Sequence, residues 1–382
     1  MFAILAACPV RRSWRCSVSD TQRQPVRPSV RLEVDGKLYG GWKDIEISRS
    51  LEQCAGTFRL SVTDRWPQQS QSRQVPVGAP CRVLVNGTPV ITGYVDDVEA
   101  SYDPNGHTYS VTGRDKTADL VDCCPPSTQL KGGGLIPLAR RWAALFGIEV
   151  VVAVSGSLAT APNFKTDEGE TCFEMLERLA RANAVMLTTD GRGRLVITRA
   201  GTAKAAVGLK LGGNLKKLTM SSSMKERFSV ITVKGQSGGS ESWNGSTNAQ
   251  AKGSAIDSRV PRYRPLTLVA EQEEYGSATT RARHEVAIRY GKGHKVQATV
   301  NGWFAGAELW RHNTLADLLG DKGKVLSTQL IVGVSYKLSD SDGWISELTL
   351  SPKEAYDLIP DAPKGKKGKG KDGGTWASMG VS

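Results

Sequence analysis

Histidine is scarce in this chain, with four (His107, His284, His294 and His312) among 382 residues. A catalytic zinc or iron centre built on imidazoles needs two or three of them converging. His284-Glu285 starts like the zinc-helix pattern H-E-x-x-H, but position 288 is Ile, so the second ligand is missing. The seven cysteines (8, 16, 54, 81, 123, 124 and 172) contain no C-x-x-C, which excludes a zinc knuckle and a dithiol redox motif. Cys123 and Cys124 are neighbours and ill suited to a disulfide, so reduced thiols and folding in a cytosol are expected. No apolar run approaches eighteen residues, so no spanning helix is expected. Leu5-Ala6-Ala7-Cys8 resembles a lipoprotein-processing box, yet no Lys or Arg precedes it as a secretion signal requires. Residues 1–29 are therefore read as a disordered extension. A P-loop and a strand-to-helix G-x-G-x-x-G are both missing, which removes the common nucleotide-binding classes. Neither a cofactor nor a metal is expected.

What is abundant is glycine, 41 residues, beside 39% hydrophobic and 23% charged residues, a composition of β-rich globular protein with many turns. The length implies two or three domains. The formal net charge of +12 is concentrated at the ends. Residues 1–31 carry six Arg and one Asp, and residues 360–382 carry five Lys and two Asp. A DNA-binding groove needs Lys and Arg gathered on folded elements with aromatics between them. Tail charge of this kind supports nonspecific polyanion contact at most, and no sequence-specific nucleic-acid binding is expected.

Alternating apolar and polar residues begin at Val30. Asp35-Gly36 and Asn86-Gly87 mark hairpin turns within a run of about six short antiparallel strands. Residues 30–122 are thus expected to form a first small β-barrel. Pro125, Pro126 and Gly132-Gly133-Gly134 then mark a change of character. Leu138, Trp142, Leu145 and Phe146 share a helical face that Gly147 ends. Thr171 and Glu174 make a capping box before a stripe of Phe173, Leu176, Leu179 and Ala180. With a hairpin over Asp190–Gly193, residues 123–201 read as an α+β domain. Strand patterns return in 202–236 and 295–352, a second barrel interrupted by an inserted segment, 237–294, that carries an amphipathic helix around Ala278–Tyr290. Residues 353–382 form a Lys/Gly-rich tail. The fold class is mainly β with α+β: two small antiparallel barrels flanking an α+β domain, an architectural duplication without a strong sequence repeat.

Three motifs invite chemistry. Gly235-Gln236-Ser237-Gly238-Gly239 fits G-x-S-x-G, but a nucleophile elbow must launch a helix, and a polar, aperiodic stretch follows. Nothing positions His284 or His294 as its base. Asp167, Glu168 and Glu170 crowd together as paired carboxylates of a glycosidase would, yet acids ahead of a capped helix are explained by its dipole. In the stretch 111–126, Asp115 is placed to N-cap a short helix, Lys116–Cys123, with Leu120 and Val121 inward and Arg114, Lys116 and Asp119 outward. That stretch holds no nucleophile–base–orienter set, and it reads as a structural corner. No catalytic residue is assigned.

The segment 93–124, with Gly113-Arg114-Asp115-Lys116-Thr117-Ala118-Asp119-Leu120-Val121-Asp122 at its centre, resembles the baseplate hub proteins of Mu-like contractile-tailed phages and prophages. The likeness continues through Phe228–Gln236, Val260–Leu266, residues 342–356 and the lysine-rich tail, in collinear order over 30–370. The resemblance implies a non-enzymatic homotrimer whose two barrel-like domains per chain make a ring of pseudo-sixfold symmetry. Its implied partners are the sixfold tail tube, the trimeric central spike and other baseplate proteins, with DNA passing through the ring and no stable membrane insertion. Hub-like parts of type VI secretion spikes are similar. The implied location is the virion tail baseplate, after assembly in the bacterial host cytoplasm. The alternatives are a tail-associated cell-wall-degrading enzyme or a glycan-binding module.

Overall fold

A computed structural model describes residues 27–63, 75–103, 106–126, 129–156, 158, 160–165, 168–235, 252–270, 278–320 and 323–356. The extension over 1–29, most of the lysine-rich tail and Ser237-Gly238-Gly239 lie largely or wholly outside them.

The first β-module contains β1 (Val30–Val34), β2 (Lys37–Tyr39), β3 (Asp44–Ser50), β4 (Thr57–Thr63), β5 (Pro80–Val85), β6 (Thr88–Asp103) and β7 (Gly106–Asp115). Asp35-Gly36 and Asn86-Gly87 all take positive φ, the left-handed geometry that two-residue hairpin turns require. Alternation is strict where it matters: in β1, Val30, Leu32 and Val34 are buried and the residues between them are not.

The α+β unit follows as α1 (Ala118–Asp122), β8 (Gln129–Gly134), α2 (Leu135–Leu145), β9 (Val150–Val152), β10 (Thr160–Lys165), α3 (Cys172–Ala182), β11 (Met186–Thr189) and β12 (Leu195–Thr198). The capping box of α3 is present in full, Glu174 N donating to Thr171 Oγ1 and Thr171 N to Glu174 Oε2. Leu176, Leu179 and Ala180 are buried, joined by Cys172 and Met175. On α2, Leu138 and Trp142 are buried, whereas Leu145 is exposed because the helix ends there.

The rest of the chain supplies β13 (Leu209–Lys210), β14 (Leu215–Ser222), β15 (Val230–Gly235), β16 (Lys252–Ile256), β17 (Pro265–Ala270), α4 (Ala278–Lys292), β18 (His294–Asn301), β19 (Phe304–Ala305), β20 (Glu308–Leu309), β21 (Thr314–Leu319), β22 (Val325–Ser339) and β23 (Gly343–Ser351). One expectation fails here. β15, expected in the second β-module, instead sits between β16 and β17 in a separate three-stranded sheet packed on α4. The inserted unit therefore begins before Val230. Ile231 and Val233 are buried in that sheet, so burial against the helix decides the strand's allegiance.

Two sets of six strands share one order. The order β1-β5-β6-β7-β4-β3 matches β13-β21-β22-β23-β18-β14, and the matched strands also occur in the same sequence along the chain. The short β13 departs in direction only, running parallel to β21 where β1 runs antiparallel to β5. The register irregularity of β6 against β7, between Val95 and Asp97, has its counterpart in β22 against β23, between Ile331 and Gly333. Yet the two sets are not separate barrels. β22 pairs with β3, merging both modules into one 13-stranded sheet, and a single hydrophobic core runs through it from Leu32 and Ile47 to Trp303, Tyr336 and Leu348.

Candidate functional site: the module junction and the sheet edges

The seam between the modules is built by two strands nearly 290 residues apart. β3 and β22 run antiparallel, with Ser335 opposite Ser48, Tyr336 opposite Ile47 and Lys337 opposite Glu46. On the outward face Ser48 Oγ and Ser335 Oγ are 2.7 Å apart, and Lys337 Nζ reaches Glu347 at 2.9 Å and Glu46 at 3.4 Å. On the inward face Ile47 and Tyr336 are buried. Tyr336 donates its hydroxyl hydrogen to the Trp310 carbonyl and leans on Trp303 at 5.5 Å between ring centroids. Burial pushes the Tyr336 phenol up to about 12. β22 can serve three partners because it is long: its first half pairs with β21, and its second half offers one edge to β23 and the other to β3.

Beneath this seam the α+β unit is pinned by buried polar groups. Arg49 Nη2 donates to the Thr189 carbonyl at 2.7 Å, and Thr188 Oγ1 lies 3.2 Å from His312 Nε2. Asn313, at positive φ, donates through Nδ2 to Arg199 O at 3.0 Å and accepts from Gly201 N at 2.7 Å. Burial pushes His312 down to about 3, so it is held neutral. Burial likewise lifts Asp115 to about 7, against the Thr117 amide that donates to it at 3.3 Å. Thr117 Oγ1 donates to the Cys54 carbonyl at 2.9 Å, tying the start of α1 to the β3–β4 loop.

The corner 111–126 differs from its expected form. Asp115 does not cap α1; it is the last residue of β7, fully buried and paired across from Gly93. Thr117 occupies the cap position without a side-chain cap hydrogen bond, and α1 spans only Ala118–Asp122. The reason is that the pairing of β7 with β6 runs through Asp115 itself. Leu120 is buried, but Val121 points outward. Arg114 holds Asp96 at 2.6 Å and Asp122 at 2.8 Å.

Among the described residues, the motifs singled out for chemistry are not brought together. Gly235 ends β15, and the remainder of its G-x-S-x-G lies outside the described residues. His284 and His294 lie on α4 and at the start of β18; His294 Nδ1 is 2.9 Å from the Tyr290 carbonyl and its ring stacks on Tyr290. Glu170 pairs with Arg178 at 3.3 Å, Glu168 is exposed, and Asp167 lies outside the described residues. Among the described residues no group of three His, Cys, Asp or Glu could hold a metal. Cys54, Cys81 and Cys172 are buried free thiols, and Cys123 and Cys124 are free as well. No helix among the described residues is long and apolar enough to cross a membrane.

A count that assigns the charge to the tails misses the inserted unit. Residues 223–293 contain eleven Lys and Arg against seven Asp and Glu, a surplus of four, whereas residues 32–222 and 294–359 together carry equal numbers of basic and acidic residues. Asp257 accepts from Arg227 at 2.8 Å and Arg259 at 2.7 Å, and Arg259 lies 3.7 Å over the Tyr290 ring. The basic surplus of the folded region thus sits on the inserted unit.

Two β-modules joined in one continuous sheet are the fold of solved phage-tail proteins. The family models that match run in series along the chain: Mu phage baseplate assembly protein GpP-like, N-terminal, over residues 29–115; baseplate hub protein gp44-like, second domain, over 117–199; tail protein NMB1110-like, third domain, over 227–285; and Mu phage baseplate assembly protein GpP, fourth domain, over 275–359. The chain is 34% identical to baseplate hub protein gp44 of Escherichia phage Mu over 355 residues, 90% of this chain and 93% of that one. It is similar to the 43 kDa tail protein of prophage MuSo2 from Shewanella oneidensis, with a TM-score of 0.77, 36% identity, and coverage of 86% of this chain and 100% of the other. A tail protein from Neisseria meningitidis MC58 shares the fold at a TM-score of 0.72 and 21% identity, over 88% of this chain and 99% of the other. An Escherichia coli component of the type VI secretion system shares it more distantly, at a TM-score of 0.54 and 13% identity over 87% of this chain and 80% of the other.

This chain belongs to the Mu baseplate hub protein family. It is a structural component of a phage tail baseplate, hence of the virion, and not an enzyme; the cell-wall-hydrolase alternative has no support in its relatives.

Proposed function

We propose that three copies of this chain form a ring that adapts a sixfold tail tube to a threefold central spike. The observation that carries this reading is the topological duplication: two six-strand sets of matching order, already joined edge to edge within one chain. Three chains supply six such modules, which present near-equivalent surfaces to a hexameric tube, while the true threefold axis matches a trimeric spike. The first domain, the α+β unit, the second β-module and the inserted unit keep to this plan, with the β-modules lining the ring. Assembly in the host cytoplasm accords with the free thiols of Cys54, Cys81 and Cys172. DNA passes through the opening without sequence-specific contact.

Light scattering of the purified chain, alone and mixed with a spike trimer, tests the reading. A mass near 123 kDa, three times the 41.1 kDa chain, is expected, rising further with the spike. A monomer under both conditions would contradict it.

A further inference from the structure

The seam between modules occurs once within the chain, and its duplicate half-partners are left open at both ends. β3 corresponds to β14, and β6 to β22, by their places in the two matched strand orders. Within the chain, β22 offers the edge of its second half to β3. The equivalent edge of β6, beyond Tyr94 where β5 stops pairing, meets no described strand. The outer edge of β14, the counterpart of β3, is likewise open among the described residues from Leu218 to Ser222, which pair with β18 alone; a bridge to Leu211 is confined to Leu215 at the start of the strand. Open edges of this length are sites for strand addition.

We infer that β14 of one copy pairs antiparallel with the second half of β6 of the next copy, reproducing between chains the seam that β3 and β22 make within one. This deepens the trimer reading and rests on it. The shared irregularities set the register. Gly333 corresponds to Asp97, so Ser335, Tyr336 and Leu338 correspond to Glu99, Ala100 and Tyr102. Following the pairings through β4 and β18, Ile45, Ile47 and Ser48 correspond to Leu218, Met220 and Ser221. The interchain pairs are then Glu99 with Ser221, Ala100 with Met220, and Tyr102 with Leu218.

Two independent observations agree with that register. Met220 and Tyr102 are 69% and 60% exposed, whereas Ile47, the counterpart of Met220, is fully buried in the internal seam. Each copy therefore shows large apolar side chains at the positions its own seam would cover. Charge is complementary too. On the β6 edge Glu99 comes opposite Ser221 of β14, and Lys295 lies directly across from Ser221 on the neighbouring strand. Glu99 would reach Lys295 over the small Ser221, as Lys337 reaches Glu46 and Glu347 in the internal seam. The contact is head to tail, so it closes only as a ring, and three copies alternate three internal seams with three external ones.

Cysteine pairs test it in the full chain. Ser48 and Ser335 have their Oγ atoms 2.7 Å apart, so Ser48→Cys/Ser335→Cys serves as the intrachain control. Glu99→Cys/Ser221→Cys, oxidised mildly at the concentration used for light scattering, is expected to give covalent dimer and trimer bands on a non-reducing gel. Glu99→Cys/Lys217→Cys, four residues out of register, is expected to give at least tenfold less. A trimer by light scattering with no covalent bands, or with equal bands for both pairs, overturns this interface and leaves the trimer standing. A monomer overturns both.

Discussion

At the residue scale, the buried polar groups at the seam make stability depend on pH in a stated direction. Asp115 has a carboxyl lifted by burial from 3.8 to about 7. A folded-state value above the unfolded one favours folding while the group is protonated, and that contribution is lost as pH rises through the folded value. Stability should therefore fall by a few kcal/mol between about pH 4 and pH 7, at a slope approaching about 1.4 kcal/mol for each step of one in pH. Asp115→Asn should flatten that slope and raise stability at pH 8, measured by urea denaturation across the range. An unchanged slope would place the dependence elsewhere. The inserted unit offers a contrasting case. Arg227 and Asp257 are both buried and 2.8 Å apart. Burial works against the Asp257 charge, but hydrogen bonds from Arg227 and Arg259 outweigh it and hold the carboxyl below its ordinary range. Asp257→Ala leaves the Arg227 charge buried without its partner and should weaken this unit by roughly 3–5 kcal/mol, seen as faster amide exchange in β15 and β16 with β1 to β7 unaffected.

At the element scale, what is legible in the sequence is local chemistry. The turns at Asp35-Gly36 and Asn86-Gly87 are readable because few residue types accept the backbone that each requires. The α3 capping box is readable for the same reason, and Thr171→Ala should cost about 1 kcal/mol by thermal denaturation. Non-local pairing is not readable. Nothing in β15 says that it abandons the second module, because its alternation suits either sheet. Asp115 looks like a cap until β7 is seen to pair with β6 through that residue. Gly93 shows what the pairing demands: a Cβ there would lie 1.8 Å from the Arg114 carbonyl oxygen and 2.7 Å from Asp115 Cα. Gly93→Ala should force β6 and β7 apart at the seam end and lower the melting temperature sharply, while Gly36→Ala, which meets no atom within 4 Å, should cost only the strain of its positive φ.

At the scale of the whole molecule, two modules share one sheet and one core. Strand counts alone suggest the duplication, but the seam that makes it useful joins residues such as Ser48 and Ser335, too far apart for any local pattern to connect. The charge distribution is hidden for a similar reason: the surplus of 223–293 is diluted in the linear count and concentrated only when β15, β16, β17 and α4 fold together. Electron microscopy of the purified assembly, averaged down its axis, bears most directly on the function. Six similar lobes around an open centre, with true symmetry of three, is the predicted image; particles of two lobes, or an annulus with any other number, would contradict it.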